Sequence, residues 1–80
     1  MKRDEVTRRV QNIFKEIFDD EDLAVDDNTT ANDIEDWDSF EHINLVVAME
    51  QDFHIKFPMK KIAALKNVGE MIDLILEMIP

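Results

Sequence analysis

The stretch "DSFEHINLVVAMEQDFHIKFP", residues 38–58, decides the fold of this chain. Asp38 has an acceptor side chain and Glu41 follows three residues later, a spacing typical of the first turn of a helix. The apolar residues that follow recur at helical spacing, so we predict a helix that begins at Asp38 and ends before Pro58. Its predicted buried stripe is Phe40, Ile43, Val46, Val47 and Phe53, with Leu45 and Met49 on a flanking face.

Helical patterns flank this stretch on both sides. A first helix of about four turns is predicted by the stripe Val6, Val10, Ile13, Phe14, Ile17 and Phe18. A short third helix is predicted by apolar residues that repeat every three positions: Met59, Ile62 and Leu65. Asn67, with Glu70 three residues later, predicts the start of a last helix. Its stripe is Val68, Met71, Ile72, Ile75 and Ile79. No alternating run predicts a strand, so we expect an all-α bundle of three main helices and one short one.

Length and composition set the class of protein. Eighty residues suffice for one domain, which we expect to span 1–80, with a thin core because a chain this short buries about 60% of its unfolded surface. The absence of cysteine excludes disulfides, thiolate nucleophiles and cysteine-based zinc sites. No apolar run approaches the roughly 18 residues that span a bilayer, and the N-terminus lacks a signal-peptide pattern. We therefore expect a protein that does not insert into membranes, and we further expect it to be cytoplasmic and monomeric.

The negative charge is concentrated in one segment. The net charge is −10, and residues 19–38 carry ten acidic and no basic side chains. We predict that this segment is a long loop anchored by Leu23, Val25 and Ile34. Its field opposes binding to nucleic acid and favours partners with a basic patch. The run "DDEDLAVDD" lacks the glycine and the bidentate glutamate of an EF-hand, so we expect weak divalent binding and no dedicated metal site.

Ser39 is the one serine of the chain, and no catalytic motif surrounds it. GxSxG, GxGxxG, P-loop and HExxH patterns are all absent. If Asp38 caps the helix, the Ser39 hydroxyl projects from the positive helix end, where an attached phosphate meets free N–H groups. His42 is the nearest base, but a Ser–His hydrolase would lack a third member and an oxyanion element. The residues thus favour an attachment point or a simple helix-starting serine, and we expect no catalytic residue.

The run from Asp38 to Pro58 resembles the signature of acyl carrier proteins. In that family Asp-Ser-Leu opens the second helix, and an aliphatic stripe, an acidic pair, Phe and Pro follow. The resemblance continues through "KNVGEMIDLI" and, more loosely, back to the first helix. It implies a four-helix carrier fold in which a phosphopantetheinyl transferase, usually with magnesium, attaches 4′-phosphopantetheine from coenzyme A to Ser39. The arm would carry acyl groups as thioesters, and the chain itself would not be an enzyme.

The resemblance also implies further site residues. Candidates for lining an acyl space between helices, which also fit as plain core, are Val46, Val47, Ile62, Leu65 and Ile72. The acids Asp38, Glu41 and Glu50, expected to be exposed, would steer basic patches on acyl-loading, acyl-transfer or synthase enzymes. Asp38 and His42 would lie near the phosphate. Protonated His42 would contact it, and the alternative for His42 is an exposed surface residue.

Several residues depart from the fatty-acid-synthase type. Trp37 precedes the Asp-Ser pair, Phe40 replaces the usual Leu, and Lys60 and Lys61 make the third helix basic. Asn44 and Gln51 stand where that type generally has acids. These differences favour a specialised acyl pathway, whether of fatty acids, polyketides or another class, and D-alanyl carriers keep an aminoacyl cargo open. The alternative from another class is an unmodified acidic helical module whose partner binding is indifferent to Ser39→Ala.

Overall fold

The computed structural model describes residues 1–79. Over this range the chain forms four α-helices and no strand. The helices are α1 (Arg3–Ile17), α2 (Ser39–Phe53), α3 (Met59–Ala64) and α4 (Val68–Met78). The predicted all-α architecture of three main helices and a short third one is confirmed. No helix within residues 1–79 is both long and apolar enough to cross a bilayer.

The core lies where α1 packs against α2 and α4. The buried residues of α1 are Val6, Val10, Ile13 and Phe14, and those of α4 include Val68, Met71, Ile72 and Ile75. These residues belong to the two predicted stripes, which are confirmed for their inner members. Ile17, Phe18 and Ile79 are half-buried at the margin of the same cluster. α4 begins as predicted, because Asn67 Oδ1 accepts a hydrogen bond of 2.8 Å from the backbone N–H of Glu70.

The predicted buried stripe of α2 is confirmed for Val46 and Phe53 and wrong for its other three members. The buried residues of this helix are Leu45, Val46, Met49 and Phe53. Phe40, Ile43 and Val47 are instead 69%, 54% and 43% exposed. α2 carries apolar side chains on more than one face, so periodicity alone does not identify the inner face. Packing against α1 selects Leu45 and Met49, which are fully buried.

The segment between α1 and α2 is held against the helices by specific hydrogen bonds. Gln11 of α1 donates to the carbonyl of Leu23 at 2.8 Å and accepts from the backbone N–H of Val25 at 3.0 Å. Val68 N–H donates to the Thr29 carbonyl at 2.9 Å, at the start of α4. The predicted anchors Leu23, Val25 and Ile34 are half-buried against the core.

This segment, predicted to be a loop, also contains a short 3-10 helix, Ala31–Asp33. Thr30 and Asp33 form a reciprocal capping box: Thr30 Oγ1 accepts from the first turn, and the Asp33 carboxylate accepts from the Thr30 backbone N–H at 2.9 Å. The Thr-x-x-Asp pattern was visible in the sequence. A turn this short has no apolar periodicity, so hydrophobic spacing does not predict it.

Candidate functional site

Ser39 occupies the first position of α2 and is exposed. The preceding residue, Asp38, is the N-cap, and its Oδ1 accepts a hydrogen bond of 2.8 Å from the backbone N–H of Glu41. The capping prediction is therefore confirmed for Asp38. The reciprocal half of the box does not form, because Glu41 Oε1 accepts from Asn44 Nδ2 at 2.6 Å. Since Asp38 caps the helix, the Ser39 hydroxyl is not needed for capping and lies at the N-terminal end of α2.

A groove of about 650 Å³ lies beside Ser39, between the start of α2, the 3-10 turn and α3. Its lining residues are Ala31, Trp37, Asp38, Ser39, His42, Ile43, Met59, Ile62, Ala63, Leu65 and Lys66. Most of these side chains are apolar. The groove therefore combines an accessible hydroxyl at one point with walls that favour a hydrophobic ligand.

The structure brings only part of the predicted acyl-lining set to this groove. Ile62 and Leu65 line it. Val46 and Ile72 are buried in the core at 3% and 0% exposure, and Val47 is 43% exposed and outside the groove. None of these three residues lines the groove beside Ser39: the rotation of α2 turns Val46 inward and Val47 outward, and Ile72 lies on the buried face of α4.

Trp37 and His42 form the inner wall of the groove. Trp37 is buried and meets Phe14 edge-on, with 5.2 Å between ring centroids. Its Nε1 donates to His42 Nδ1 at 3.2 Å, and the two rings are stacked with centroids 6.0 Å apart. His42 Nε2 lies 3.3 Å from the carbonyl oxygen of Ile62 in α3.

His42 is consequently half-buried, so the alternative that it is an exposed surface residue is wrong. Both ring nitrogens already have hydrogen-bond partners. A contact between His42 and a phosphate on Ser39 stays a prediction, and it requires the release of one of these bonds.

The three acids assigned to partner docking differ in their surroundings. Asp38 is exposed, whereas Glu41 and Glu50 are half-buried. Glu50 Oε2 accepts a hydrogen bond of 2.7 Å from the backbone N–H of Phe57, in the turn between α2 and α3. The expectation of three exposed acids is therefore corrected for Glu41 and Glu50, because nearby amide donors hold both carboxylates.

A strip of exposed apolar side chains adjoins Ser39. It consists of Phe40, Ile43 and Val47 on α2 and Met59 at the start of α3. Met59 is 86% exposed. Helical spacing alone assigns these residues to the apolar stripes of α2 and α3. The sequence does contain one sign of this exposed strip: α2 has more apolar residues than a single buried helix face can hold.

Within residues 1–79, no group of three or more His, Asp or Glu side chains is arranged to hold a metal ion. The acidic side chains of residues 19–38 therefore do not converge on one point in this structure.

Comparison with known proteins agrees with this geometry. A family model described as "Phosphopantetheine attachment site" matches residues 8–75, a range that includes Ser39 and its groove. A solved structure, the solution NMR structure of holo acyl carrier protein from Geobacter metallireducens, is 39% identical. The match covers 90% of this chain and 83% of that one, with a TM-score of 0.84. A comparison with curated proteins finds no match.

The exposed hydroxyl at the start of α2, with an open groove beside it, fits the 4′-phosphopantetheine group that this family carries covalently. Carriers of this kind are not catalytic themselves and are modified by a phosphopantetheinyl transferase. The chain belongs to the acyl carrier protein family of phosphopantetheine-attachment domains.

Proposed function

We propose that Ser39 is the residue that receives 4′-phosphopantetheine and that the chain carries acyl groups on this arm. The observation that carries the proposal is the position of Ser39: it is exposed at the first turn of α2, and Asp38 has taken over the capping. A phosphodiester on this oxygen would face the unpaired N–H groups of the helix end. The helix dipole adds favourable potential for its negative charge.

The attachment is a phosphoryl transfer. Ser39 Oγ forms a bond to the phosphorus of coenzyme A that bears pantetheine, and the pyrophosphate P–O bond breaks as 3′,5′-ADP leaves. The hydroxyl proton passes to a base of the transferase. When bound, the arm supplies the thiol that holds an acyl group as a thioester. The residues of this chain orient the attachment oxygen and line the adjoining groove.

The walls of the groove favour an apolar cargo over an aminoacyl one. Trp37, Ile43, Met59, Ile62 and Leu65 all line it. Each methylene that a cargo buries there contributes about 0.8 kcal/mol. An aminoacyl ammonium group would gain no such burial energy from these side chains. We infer a specialised acyl pathway of the fatty acid, polyketide or a related type.

The surface around Ser39 supports docking of partner enzymes. Asp38 is an exposed acid beside the exposed apolar strip, so partners with a basic patch next to an apolar contact fit this face. The acidic segment 19–38 would speed such encounters through long-range attraction. Glu41 and Glu50 add charge but are already hydrogen-bonded. We expect the carrier to meet these enzymes as a monomer in the cytoplasm.

The test is intact mass after incubation with coenzyme A, magnesium and a broad-specificity phosphopantetheinyl transferase. We expect the wild type to gain one phosphopantetheine and a Ser39→Ala variant to gain none. Circular dichroism of the variant checks that it folds. Absence of a gain in the wild type, with the transferase active on another carrier, would favour the unmodified interaction module instead.

A further inference from the structure

His42 connects α2 to α3 through hydrogen bonds at both ring nitrogens. Trp37 Nε1 lies 3.2 Å from Nδ1, and the carbonyl oxygen of Ile62 lies 3.3 Å from Nε2. An indole N–H only donates and a carbonyl oxygen only accepts. Nδ1 is therefore the acceptor and Nε2 carries the proton. The Trp37–His42–Ile62 bridge thus requires the neutral imidazole with its proton on Nε2.

The bridge matters for α3 because this helix has weak attachments elsewhere. Met59–Ala64 contributes no fully buried side chain, and Ile62 is only half-buried against the core. Lys61 pairs with Glu77 at 3.1 Å, but both side chains are more than half exposed, and exposed ion pairs add little stability. By contrast, the hydrogen bond between His42 Nε2 and the carbonyl oxygen of Ile62 is partly buried.

Ser39, His42 and Ile62 line the same groove. We propose that His42 is a positioning residue: its neutral form holds α3 as a wall of the groove beside Ser39, and its protonation releases that wall. If Nδ1 were protonated, its N–H would face the Nε1–H of Trp37, and two donors cannot form a hydrogen bond with each other. The ring then turns away from Trp37, and the bond to Ile62 is lost with it.

Charged side chains neighbour His42 in the groove and along the chain, but within residues 1–79 none is hydrogen-bonded to its ring. Asp38 and Lys66 line the groove together with His42. Glu41 precedes it on α2, Lys61 precedes Ile62 on α3, and the exposed acids Asp33, Glu35 and Asp36 precede Trp37 in the chain. α1 meets the bridge only through the apolar Phe14, which packs on Trp37. Within residues 1–79 the ring nitrogens are hydrogen-bonded to neutral partners alone. Histidine is the side chain whose charge ordinarily changes between about pH 5 and pH 8.

The first experiment uses the unmodified chain, so it does not depend on the proposed function. Nitrogen NMR of the imidazole at pH 8 should show the Nε2–H tautomer of His42. On acidification to pH 5, the fluorescence of Trp37, the one tryptophan of the chain, and the amide shifts of residues 59–66 should change with one midpoint. An Nδ1–H tautomer, or α3 amides that do not follow the titration of His42, would overturn the proposal.

Two variants separate this bridge from general effects of pH. Glutamine can accept a hydrogen bond from Trp37 and donate one to Ile62, and its side chain does not titrate. The amide shifts of α3 in His42→Gln should therefore resemble those of the wild type at pH 8 and should stay unchanged down to pH 5. His54→Asn replaces the other histidine, which is exposed at the end of α2, and should keep the wild-type titration. A titration that survives in His42→Gln, or disappears in His54→Asn, would contradict the assignment to His42.

The consequence for the arm rests on the proposed function and is tested separately, in the modified protein. At constant pH 7, an octanoyl thioester should react with hydroxylamine several-fold faster on His42→Leu than on wild type or His54→Asn, because the loosened wall exposes it. Equal rates on modified proteins would overturn the positioning role even if the bridge exists. Failure of Ser39 to accept the arm would instead overturn the proposed function and leave the result of the first experiment standing.

Discussion

Gly69, the one glycine of the chain, shows how a single residue fixes the acidic segment to α4. Its backbone N–H donates to the carbonyl oxygen of Asp27 at 3.0 Å. A Cβ on residue 69 would lie 2.9 Å from that oxygen and 3.1 Å from the Asp27 Cβ. The glycine is therefore required for close approach of two backbones, within the first turn of α4.

We expect Gly69→Ala to lower the free energy of unfolding by about 1–3 kcal/mol, because the methyl group forces the backbones apart. Helix propensity alone would give a gain of about 1 kcal/mol, so the sign of the change identifies the cause. Urea denaturation measures it. Asn12→Ala, at an exposed position of α1, is the control and should be neutral or slightly stabilising. A Gly69→Ala variant as stable as the wild type would show that the segment moves freely from α4.

At the scale of elements, Glu50 organises the turn that leads from α2 to α3. Its backbone carbonyl accepts from the N–H groups of His54 and Ile55, and His54 adopts a left-handed conformation with φ of 57°. Its carboxylate accepts from the backbone N–H of Phe57, whose side chain is buried. One residue therefore satisfies three donors and fixes the direction in which the chain enters α3.

Replacement of Glu50 tests this role. Glu50→Ala should cost about 1–3 kcal/mol of unfolding free energy, since the Phe57 N–H loses its partner at a buried residue. Glu50→Gln keeps an acceptor oxygen and should lose much less. The difference between the two variants in urea denaturation is the measurement. Equal losses would mean that the charge of Glu50 matters rather than its hydrogen bond.

At the scale of the whole molecule, charge is distributed unevenly over the fold. Within residues 1–79, Arg3 is the basic residue that pairs with the acidic segment 19–38, through Nη2 and Asp27 Oδ2 at 3.2 Å. Arg3 also bonds Asp73 of α4, and this hydrogen bond is the main cause that raises the pKa of Arg3 above its usual value. One cation is thus shared by the segment and α4, and most of the ten acids of the segment are left to repel each other.

Divalent cations should relieve this repulsion. We expect millimolar magnesium or calcium to raise the melting temperature more than sodium chloride of equal ionic strength, because divalent ions are attracted more strongly to crowded carboxylates. Thermal denaturation followed by circular dichroism is the measurement. A variant with Asp19, Asp20 and Asp22 changed to Asn should show a smaller difference between the two salts. Identical melting curves of the wild type in both salts would refute the expectation.

Local sequence signals suffice to predict the helices and the position of Ser39. Asp38 and Asn67 mark helix starts and Pro58 separates α2 from α3, because capping and proline geometry act within one turn of chain. The stripes of α1 and α4 were also readable, since each of these helices has one dominant apolar face. These signals are local, and they suffice to place an exposed hydroxyl at the start of a helix.

Tertiary structure alone decided which face of α2 is buried and what borders Ser39. Val46 and Val47 are neighbours in the chain, yet one is in the core and the other is largely exposed. The partners of His42 lie on Trp37 and on α3, and Glu50 binds a backbone amide beyond the end of its own helix. Such choices depend on which helices meet in space. When a helix is apolar on several faces, the neighbouring helices determine which face is buried. The periodicity of its own sequence therefore does not predict its rotation.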